Sequence, residues 1–439
     1  MKRSLLLAGL MGLGVSIVPA ENWPAWRGPT GQGISSESGL PTKWSDSSNV
    51  RWKVALPGPG NSTPIVWEDK VFLAQASGPE GQRRALMCFD RRTGKRLWSS
   101  GVTYGEKEMT HKTNPQCSAS PATDGERVYV SFASAGVHCF DLDGKPIWQR
   151  DLGKQDHIWG NGASPVLHGD LVLLNFGPGP RTFLIAMDKR TGETVWQNDE
   201  PGGRNGRDLK PGENGRAGWR GSWSDPIPFD QDGKTLMLMT YPERMFAFDP
   251  GTGKEIWTCG GLNQLVYTSP IHADGLAVGM GGFRGDAIAV RLGGRGDVTR
   301  SHRLWQNQRT LQRIGSGVIH DGHIYILNDP GDAQCINLQT GAVIWQEKLQ
   351  GPGRNRQNWS SMVLADNRLY AVNQGGDAFV LKASPKYELI SVNPMGEKVI
   401  GSIAVSHGDL FIRGHKHLFC ISGQKKTAAL NRSPTPASR

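Results

Sequence analysis

The sequence lacks the cysteine patterns that accompany metal or haem chemistry. Its six cysteines form no Cys-x-x-Cys or Cys-x-x-Cys-His motif, which argues against a clustered zinc site and a covalently attached haem. No cysteine directly follows the apolar leader, so a lipid-anchored amino terminus is not expected. A chain of 439 residues can bury a large core without disulfides. The sequence therefore predicts neither a metal site nor a disulfide framework.

Long hydrophobic runs are also scarce. The first 20 residues combine Lys2 and Arg3 with an apolar stretch and end in Val18-Pro19-Ala20, which is typical of a cleavable secretory signal. No later stretch is long and apolar enough to span a bilayer. We therefore expect a periplasmic or secreted protein with a signal peptide at residues 1–20, an amino-terminal extension at residues 21–48, and no membrane span.

The net charge of +10 does not indicate a nucleic-acid partner. Six of the positive charges lie in the leader and in the tail after Gly423, which has no acidic residue. The body between them carries only the small excess of an ordinary soluble domain. We expect residues 423–439 to be a disordered basic tail, and we expect a monomer.

Glycine and tryptophan are abundant, at 58 and 15 residues, and both mark an internal repeat. The unit begins with a small residue, continues through β-branched runs and an apolar-x-Asp segment, and ends in a Thr-Gly turn and a tryptophan, whose place Leu389 takes in the seventh copy. Starts recur at intervals of roughly 40 to 60 residues, which matches propeller blades. The eight starts are Pro64, Pro121, Pro165, Pro226, Pro270, Gly317, Met362 and Ile403.

The eighth copy lacks its last strand. It stops after Leu418-Phe419-Cys420-Ile421, whereas an orphan segment containing Trp52 matches the tryptophan strand and has no unit of its own. A ring has no open edge if this orphan strand completes the last blade. The sequence therefore predicts an all-β, eight-bladed β-propeller of four-stranded antiparallel blades over residues 49–422, closed by a strand at about residues 49–54.

This repeat resembles that of pyrroloquinoline-quinone (PQQ) enzymes and of their non-catalytic relatives of the BamB type. The opening Trp23-Pro24-Ala25-Trp26-Arg27-Gly28-Pro29 and the run Leu40-Pro41-Thr42-Lys43-Trp44 resemble those of secreted propellers from environmental bacteria, mostly planctomycetes and their relatives. The resemblance implies the propeller fold, and it implies PQQ with Ca²⁺ as the cofactor if the chain is an enzyme. The adjacent cysteine pair of alcohol-oxidising relatives is absent, and no residue can be matched to the family's calcium ligands or catalytic aspartate.

The loops that precede the first strand of each blade should share one face and rim the central channel. Arginine on such a rim suits carboxylates or phosphates, and tryptophan offers a flat apolar platform. The candidate ligand-binding residues are His111, Asn114, Trp159, Asn161, Arg216, Trp219, Arg220, Trp223, Tyr267, Arg313, Arg356 and Trp359. No catalytic residue can be assigned.

Three functions remain open at this point. The favoured one is a non-catalytic binding or scaffold propeller outside the cytoplasm, because the repeat is complete and no catalytic set is identifiable. Its partner would be a protein or an anionic or carbohydrate ligand at the Arg/Trp-rich face. The alternatives are a PQQ-dependent dehydrogenase and a propeller that binds or degrades carbohydrate or another polymer.

Overall fold

The structure is a computed structural model that describes residues 21–179, 181–200 and 220–423. The predicted signal peptide, the tail beyond Gly423, Arg216 and Trp219 lie outside these residues. Two strands precede the first repeat, namely β1 (Ile34–Ser35) and β2 (Val50–Ala55). Two single-turn 3-10 helices are also present, at Pro79–Gly81 and Ala133–Ala135. Among the described residues, no helix has the length and hydrophobicity needed to cross a bilayer.

Each of the first four repeats contributes four antiparallel strands to one sheet. Blade one contains β3 (Ile65–Trp67), β4 (Lys70–Ser77), β5 (Arg83–Asp90) and β6 (Arg96–Thr103). Blade two contains β7 (Ala122–Thr123), β8 (Arg127–Ser131), β9 (Val137–Asp141) and β10 (Pro146–Arg150). Blade three contains β11 (Val166–His168), β12 (Leu171–Phe176), β13 (Thr182–Asp188) and β14 (Thr194–Glu200). After β15 (Gly221–Ser222), blade four contains β16 (Ile227–Gln231), β17 (Lys234–Tyr241), β18 (Arg244–Phe248) and β19 (Glu255–Gly260).

The last four repeats follow the same plan. After β20 (Leu265–Val266), blade five contains β21 (Ile271–Ala273), β22 (Leu276–Met280), β23 (Ala287–Arg291) and, beyond β24 (Gly296–Asp297), β25 (Arg303–Asn307). Blade six contains β26 (Val318–His320), β27 (His323–Asn328), β28 (Asp332–Asn337) and β29 (Val343–Lys348). Blade seven contains β30 (Val363–Ala365), β31 (Arg368–Val372), β32 (Asp377–Lys382) and β33 (Leu389–Pro394). Blade eight contains β34 (Ala404–Ser406), β35 (Asp409–Arg413) and β36 (His417–Ser422).

The predicted ring closure is confirmed. Strand β2 pairs antiparallel with β36, with Trp52 opposite Cys420 and Ala55 opposite His417. Trp52 is tied to the next blade, because its Nε1 donates to the carbonyl of Arg91 at 2.8 Å, as the Nε1 atoms of Trp98 and Trp148 donate to carbonyls of the blades that follow them. The Thr93-Gly94 turn under the indole ring of Trp52 needs glycine, since a Cβ on Gly94, whose φ is +73°, would lie 2.7 Å from that ring. The eight-bladed propeller is therefore closed by its amino-terminal strand.

The amino-terminal extension lies across one end of the central channel. The backbone of Trp23 exchanges two hydrogen bonds with Val66, and the carbonyl of Pro24 accepts one from Thr123. Further along, β1 pairs in parallel with β30. These partners belong to the innermost strands of blades one, two and seven, at or near the points where those strands end. The extension therefore closes the channel at that end and leaves the other end for a site.

Arg27 anchors this plug segment, which we define as residues 21–37. Its buried guanidinium donates to the carbonyls of Gly31 and Gln32 within the segment and of Ser316 and Gly317 at blade six. Burial lowers the pKa of Arg27 to about 9, so the group is still charged at neutral pH. A planar guanidinium with its five N–H donors in a fork suits this cluster of carbonyls better than a lysine would.

Candidate functional site

A cavity of about 480 Å³ occupies the end of the channel at which the first strands begin. Most of its lining comes from the loops that precede these strands, and Trp26 of the plug segment forms its floor. The volume falls within the range of roughly 300–1,000 Å³ that is common for small-molecule sites. Its aromatic lining consists of Trp26, Trp159, Trp223, Tyr267, Phe283 and Trp359. Its polar and ionisable lining includes Asn61, Thr63, His111, Asn114, Ser118, Ser120, Ser164, Asp225, Gln312, Ser361 and Ser402.

A short pair of parallel strands positions two of the aromatic side chains that line the cavity. Strands β15 and β20 pair with each other, and the residues directly after them are Trp223 and Tyr267. The two rings therefore meet edge to face with centroids 5.0 Å apart. Trp159 completes the cluster at 6.4 Å from Trp223, whose Nε1 donates to the carbonyl of Gly160. This packing holds the three rings of Trp159, Trp223 and Tyr267, which we call the aromatic wall, in fixed orientations.

His157 supports the same cluster from behind. Its ring is nearly inaccessible and lies 5.2 Å from the ring of Trp223. Burial lowers the pKa of His157 to about 4, so the imidazole is neutral at physiological pH. It acts as a packing group for the aromatic wall and does not line the cavity.

A closed belt of eight hydrogen bonds surrounds the channel at the level of the cavity. In each blade, the residue directly before the repeat start donates its backbone N–H to the side-chain oxygen of the equivalent residue in the next blade, at 2.8–3.1 Å. The belt residues are Thr63, Ser120, Ser164, Asp225, Ser269, Ser316, Ser361 and Ser402. The belt ties the inner edges of all blades together and gives the cavity a fixed circumference.

Asp225 is the single carboxylic acid of the belt. It is 3% exposed, lines the cavity and accepts the backbone N–H of Ser164 at 2.8 Å. Burial raises the pKa of Asp225 well above its usual range, and hydrogen bonds from the backbone and side chain of Ser164 oppose that shift only in part. The position equips the cavity with one acid whose ionisation is disfavoured.

The structure places about half of the predicted ligand-binding residues around one cavity. Six of the predicted residues line the cavity: His111, Asn114, Trp159, Trp223, Tyr267 and Trp359. Asn161 lies next to it, since its carbonyl accepts a hydrogen bond from Asn114 Nδ2. His111 is half-buried, and its pKa is lowered by burial and, to a smaller degree, by Lys112 and Lys398. This placement is a geometric finding and leaves ligand binding by these residues a prediction.

The predicted arginines that the structure describes lie elsewhere. Arg220 pairs with Glu243 at 3.1 Å, Arg313 is buried with its Nη1 donating to Thr310, and Arg356 is exposed. None of the three lines the cavity. The cavity is therefore aromatic and hydroxyl-rich in the described residues, and whether these arginines bind a ligand at the rim stays a prediction.

Sequence reasoning missed Trp26, Phe283 and the belt. Trp26 belongs to a segment outside the repeat, so no periodicity placed it in the channel. Asp225 had a signal, because it occupies the position before the repeat start where the other seven copies have serine or threonine. A single acid in a position otherwise filled by hydroxyls points to a local difference in chemistry.

The family described as outer membrane protein assembly factor BamB matches residues 34–214 and 184–428 of the chain. The BamB of Yersinia pestis is 21% identical over 337 residues, which cover 72% of this chain and 75% of that protein. A quinoprotein ethanol dehydrogenase of Pseudomonas putida is 28% identical over 200 residues, which cover 41% of this chain but 31% of that enzyme's length.

Solved structures show the same fold. The crystal structure of BamB from Moraxella catarrhalis superposes with a TM-score of 0.58 and 14% identity, covering 86% of this chain and 98% of that one. A europium-containing methanol dehydrogenase superposes with a TM-score of 0.66 and 11% identity, covering 90% of each chain. At such identities the likeness concerns the fold and not the activity.

Proposed function

This chain belongs to the family described as outer membrane protein assembly factor BamB, and we propose that it is a non-catalytic binding propeller that works outside the cytoplasm. The observation that carries the proposal is the cavity at the open end of the channel, with its aromatic walls and its floor formed by Trp26. A concave, largely apolar site with a few convergent polar groups is the common form of a small-ligand site. The predicted leader at residues 1–20 supports the location.

A protein partner is suggested by the name of the Yersinia pestis relative, an assembly factor for outer membrane proteins. That role is a property of the relative. For this chain, the plug segment closes one end of the channel and the belt fixes its circumference. The cavity that remains has a volume of about 480 Å³, which favours a small ligand. We therefore assign the ligand, and not a partner protein, to the channel.

The second candidate is a PQQ-dependent dehydrogenase, which the quinoprotein relatives favour. PQQ is a planar tricarboxylate, so a fitting site needs cationic donors, and its Ca²⁺ needs a cluster of oxygen ligands. The described lining contains no lysine or arginine, so it offers no cationic donor to the carboxylates. In residues 21–179, 181–200 and 220–423, no group of three or more His, Cys, Asp or Glu side chains is arranged to hold a metal. The described cavity does not fit this cofactor.

A cavity-filling variant tests the binding function. Gly162 lines the cavity, has ordinary backbone geometry, and an added Cβ would meet only Trp223 Cδ1, at 3.8 Å. We expect Gly162→Leu to fold normally and to abolish the binding of small molecules that shift the melting temperature of the wild-type protein in a library screen. PQQ with Ca²⁺ belongs in that library.

Gly105→Leu is the matched control, because a Cβ at Gly105 meets nothing within 4 Å and this residue is exposed outside the cavity. It should bind as the wild type does. The proposal is wrong if no compound distinguishes the wild type from Gly162→Leu. Stoichiometric uptake of PQQ with reduction of an artificial dye would instead support the dehydrogenase.

A further inference from the structure

The geometry points to a neutral sugar as the ligand of the channel cavity, with one ring stacked on the aromatic wall and its hydroxyls bound by the belt. This inference rests on the proposed binding function and names its ligand class. Three features of the lining support it: flat aromatic faces, polar atoms that have no partner, and the absence of lysine and arginine from the described lining.

The aromatic wall supplies the apolar half of such a site. The faces of a pyranose ring carry C–H groups, and these pack on the electron-rich face of an indole or phenol ring. Trp159, Trp223 and Tyr267 are partly exposed, line the cavity and are fixed by their mutual contacts of 5.0 to 6.5 Å. A rigid platform of this kind binds a ring without a large loss of side-chain entropy.

Unpartnered polar atoms supply the other half. Trp359 Nε1 is a buried donor and Asn61 Oδ1 a buried acceptor, and neither has a hydrogen-bond partner among the described residues. Both side chains line the cavity. Buried polar atoms without partners are costly, so a small rotation of these two side chains towards a ligand that supplies both a donor and an acceptor would satisfy them. Each hydroxyl of a sugar can do both.

The belt adds donors at the same level. The hydroxyls of Thr63, Ser120 and Ser402 each accept a backbone N–H, so the hydroxyl hydrogen of each is available to donate. All three line the cavity. A ring of hydroxyl donors suits a ligand that is rich in oxygen acceptors.

The charge of the lining favours a neutral sugar over an acidic one. Its ionisable groups are His111, Asp225 and Tyr267, and burial disfavours the charged form of each. Lys112 and Lys398 lie near His111 but do not line the cavity. An acidic sugar reaching these lysines is therefore the alternative that the experiment must distinguish.

The test uses the full chain and the change in its tryptophan fluorescence, confirmed by calorimetry. The probes are glucose, galactose, xylose, N-acetylglucosamine, cellobiose and maltose, with glucuronate as the acidic sugar and choline as an organic cation. We expect at least one neutral sugar to bind saturably and more tightly than glucuronate. Trp359→Phe, which keeps the aromatic wall but removes the donor, should weaken that sugar roughly tenfold.

Trp98→Phe is the matched control, since Trp98 donates to Leu142 between blades and lies outside the cavity. It should bind the sugar as the wild type does. The inference is overturned if no neutral sugar binds with a dissociation constant below about 10 mM, if glucuronate or choline binds more tightly, or if Trp359→Phe binds as well as Trp98→Phe. The proposed function survives that result when another compound still distinguishes the wild type from Gly162→Leu, and it falls when none does.

Discussion

Replacing Arg27 by alanine should release the plug segment from the channel. The guanidinium donates to two carbonyls within the segment and to two at blade six, those of Ser316 and Gly317. The pair at blade six is what ties the segment to the propeller at this point. Without it, the floor under the cavity, including Trp26, loses its main polar anchor.

The size of the effect follows from these contacts. A hydrogen bond to a charged group contributes about 1.5–3 kcal/mol, so the two bonds to blade six together contribute about 3–6 kcal/mol. Part of this is offset, because the variant no longer buries a charge. We expect a net loss of about 2–4 kcal/mol in the docking of the segment, which raises its open population by about 30- to 1,000-fold. The opening should be local, since the blades keep their own hydrogen bonds.

Hydrogen–deuterium exchange measured by mass spectrometry detects this opening. Peptides covering residues 21–37 should exchange faster in Arg27→Ala, whereas peptides from the blade strands should not change. Arg150→Ala is the control, because the guanidinium of Arg150 makes one long hydrogen bond, 3.4 Å from Thr194 Oγ1. The reasoning is refuted if the segment stays as protected in Arg27→Ala as in the control.

Two further predictions concern ring closure and the belt. In Ala55→Cys/His417→Cys, two directly opposite residues of β2 and β36 should form a disulfide on oxidation. The cross-link would close a loop of roughly 360 residues and raise the free energy of unfolding by up to about 6 kcal/mol. The six native cysteines are free thiols, so a count of eight thiols, and not six, after oxidation of the folded variant would contradict the pairing. Burial raises the pKa of Asp225, so its contribution to stability falls as the pH rises above about 4. The melting temperature of Asp225→Asn minus that of the wild type should therefore increase as the pH rises from 4 to 7. A decrease of this difference over the same range would refute the raised pKa of Asp225.

The fold could be predicted because its signal is periodic. A tryptophan recurs in the last strand of seven of the eight blades, and the orphan Trp52 revealed which strand was missing from blade eight. Pairing of Trp52 with the strand containing Cys420 follows from counting starts and final strands. Such a count needs no knowledge of side-chain direction.

The site was harder to predict because side-chain direction decides it. Arg313 and Trp359 both precede first strands, yet the guanidinium turns to Thr310 while the indole lines the cavity. The repeat pattern places loops on a face but does not say which side chains point into the channel. The plug segment was hidden for a different reason, since the hydrogen bonds that hold it, of Trp23 with Val66 and of Pro24 with Thr123, join residues far apart in the sequence.

The most direct test of the central claim is the indole N–H spectrum of the ¹⁵N-labelled protein, titrated with the neutral sugar that binds most tightly. The account predicts shifts for the four tryptophans that line the cavity, Trp26, Trp159, Trp223 and Trp359, and largest for Trp359, whose Nε1 gains a partner. The repeat tryptophans, such as Trp98 and Trp148, should stay in place because their Nε1 atoms already donate between blades. Shifts confined to the repeat tryptophans, or saturable binding with no shift at the four, would contradict the assignment of the cavity as the binding site.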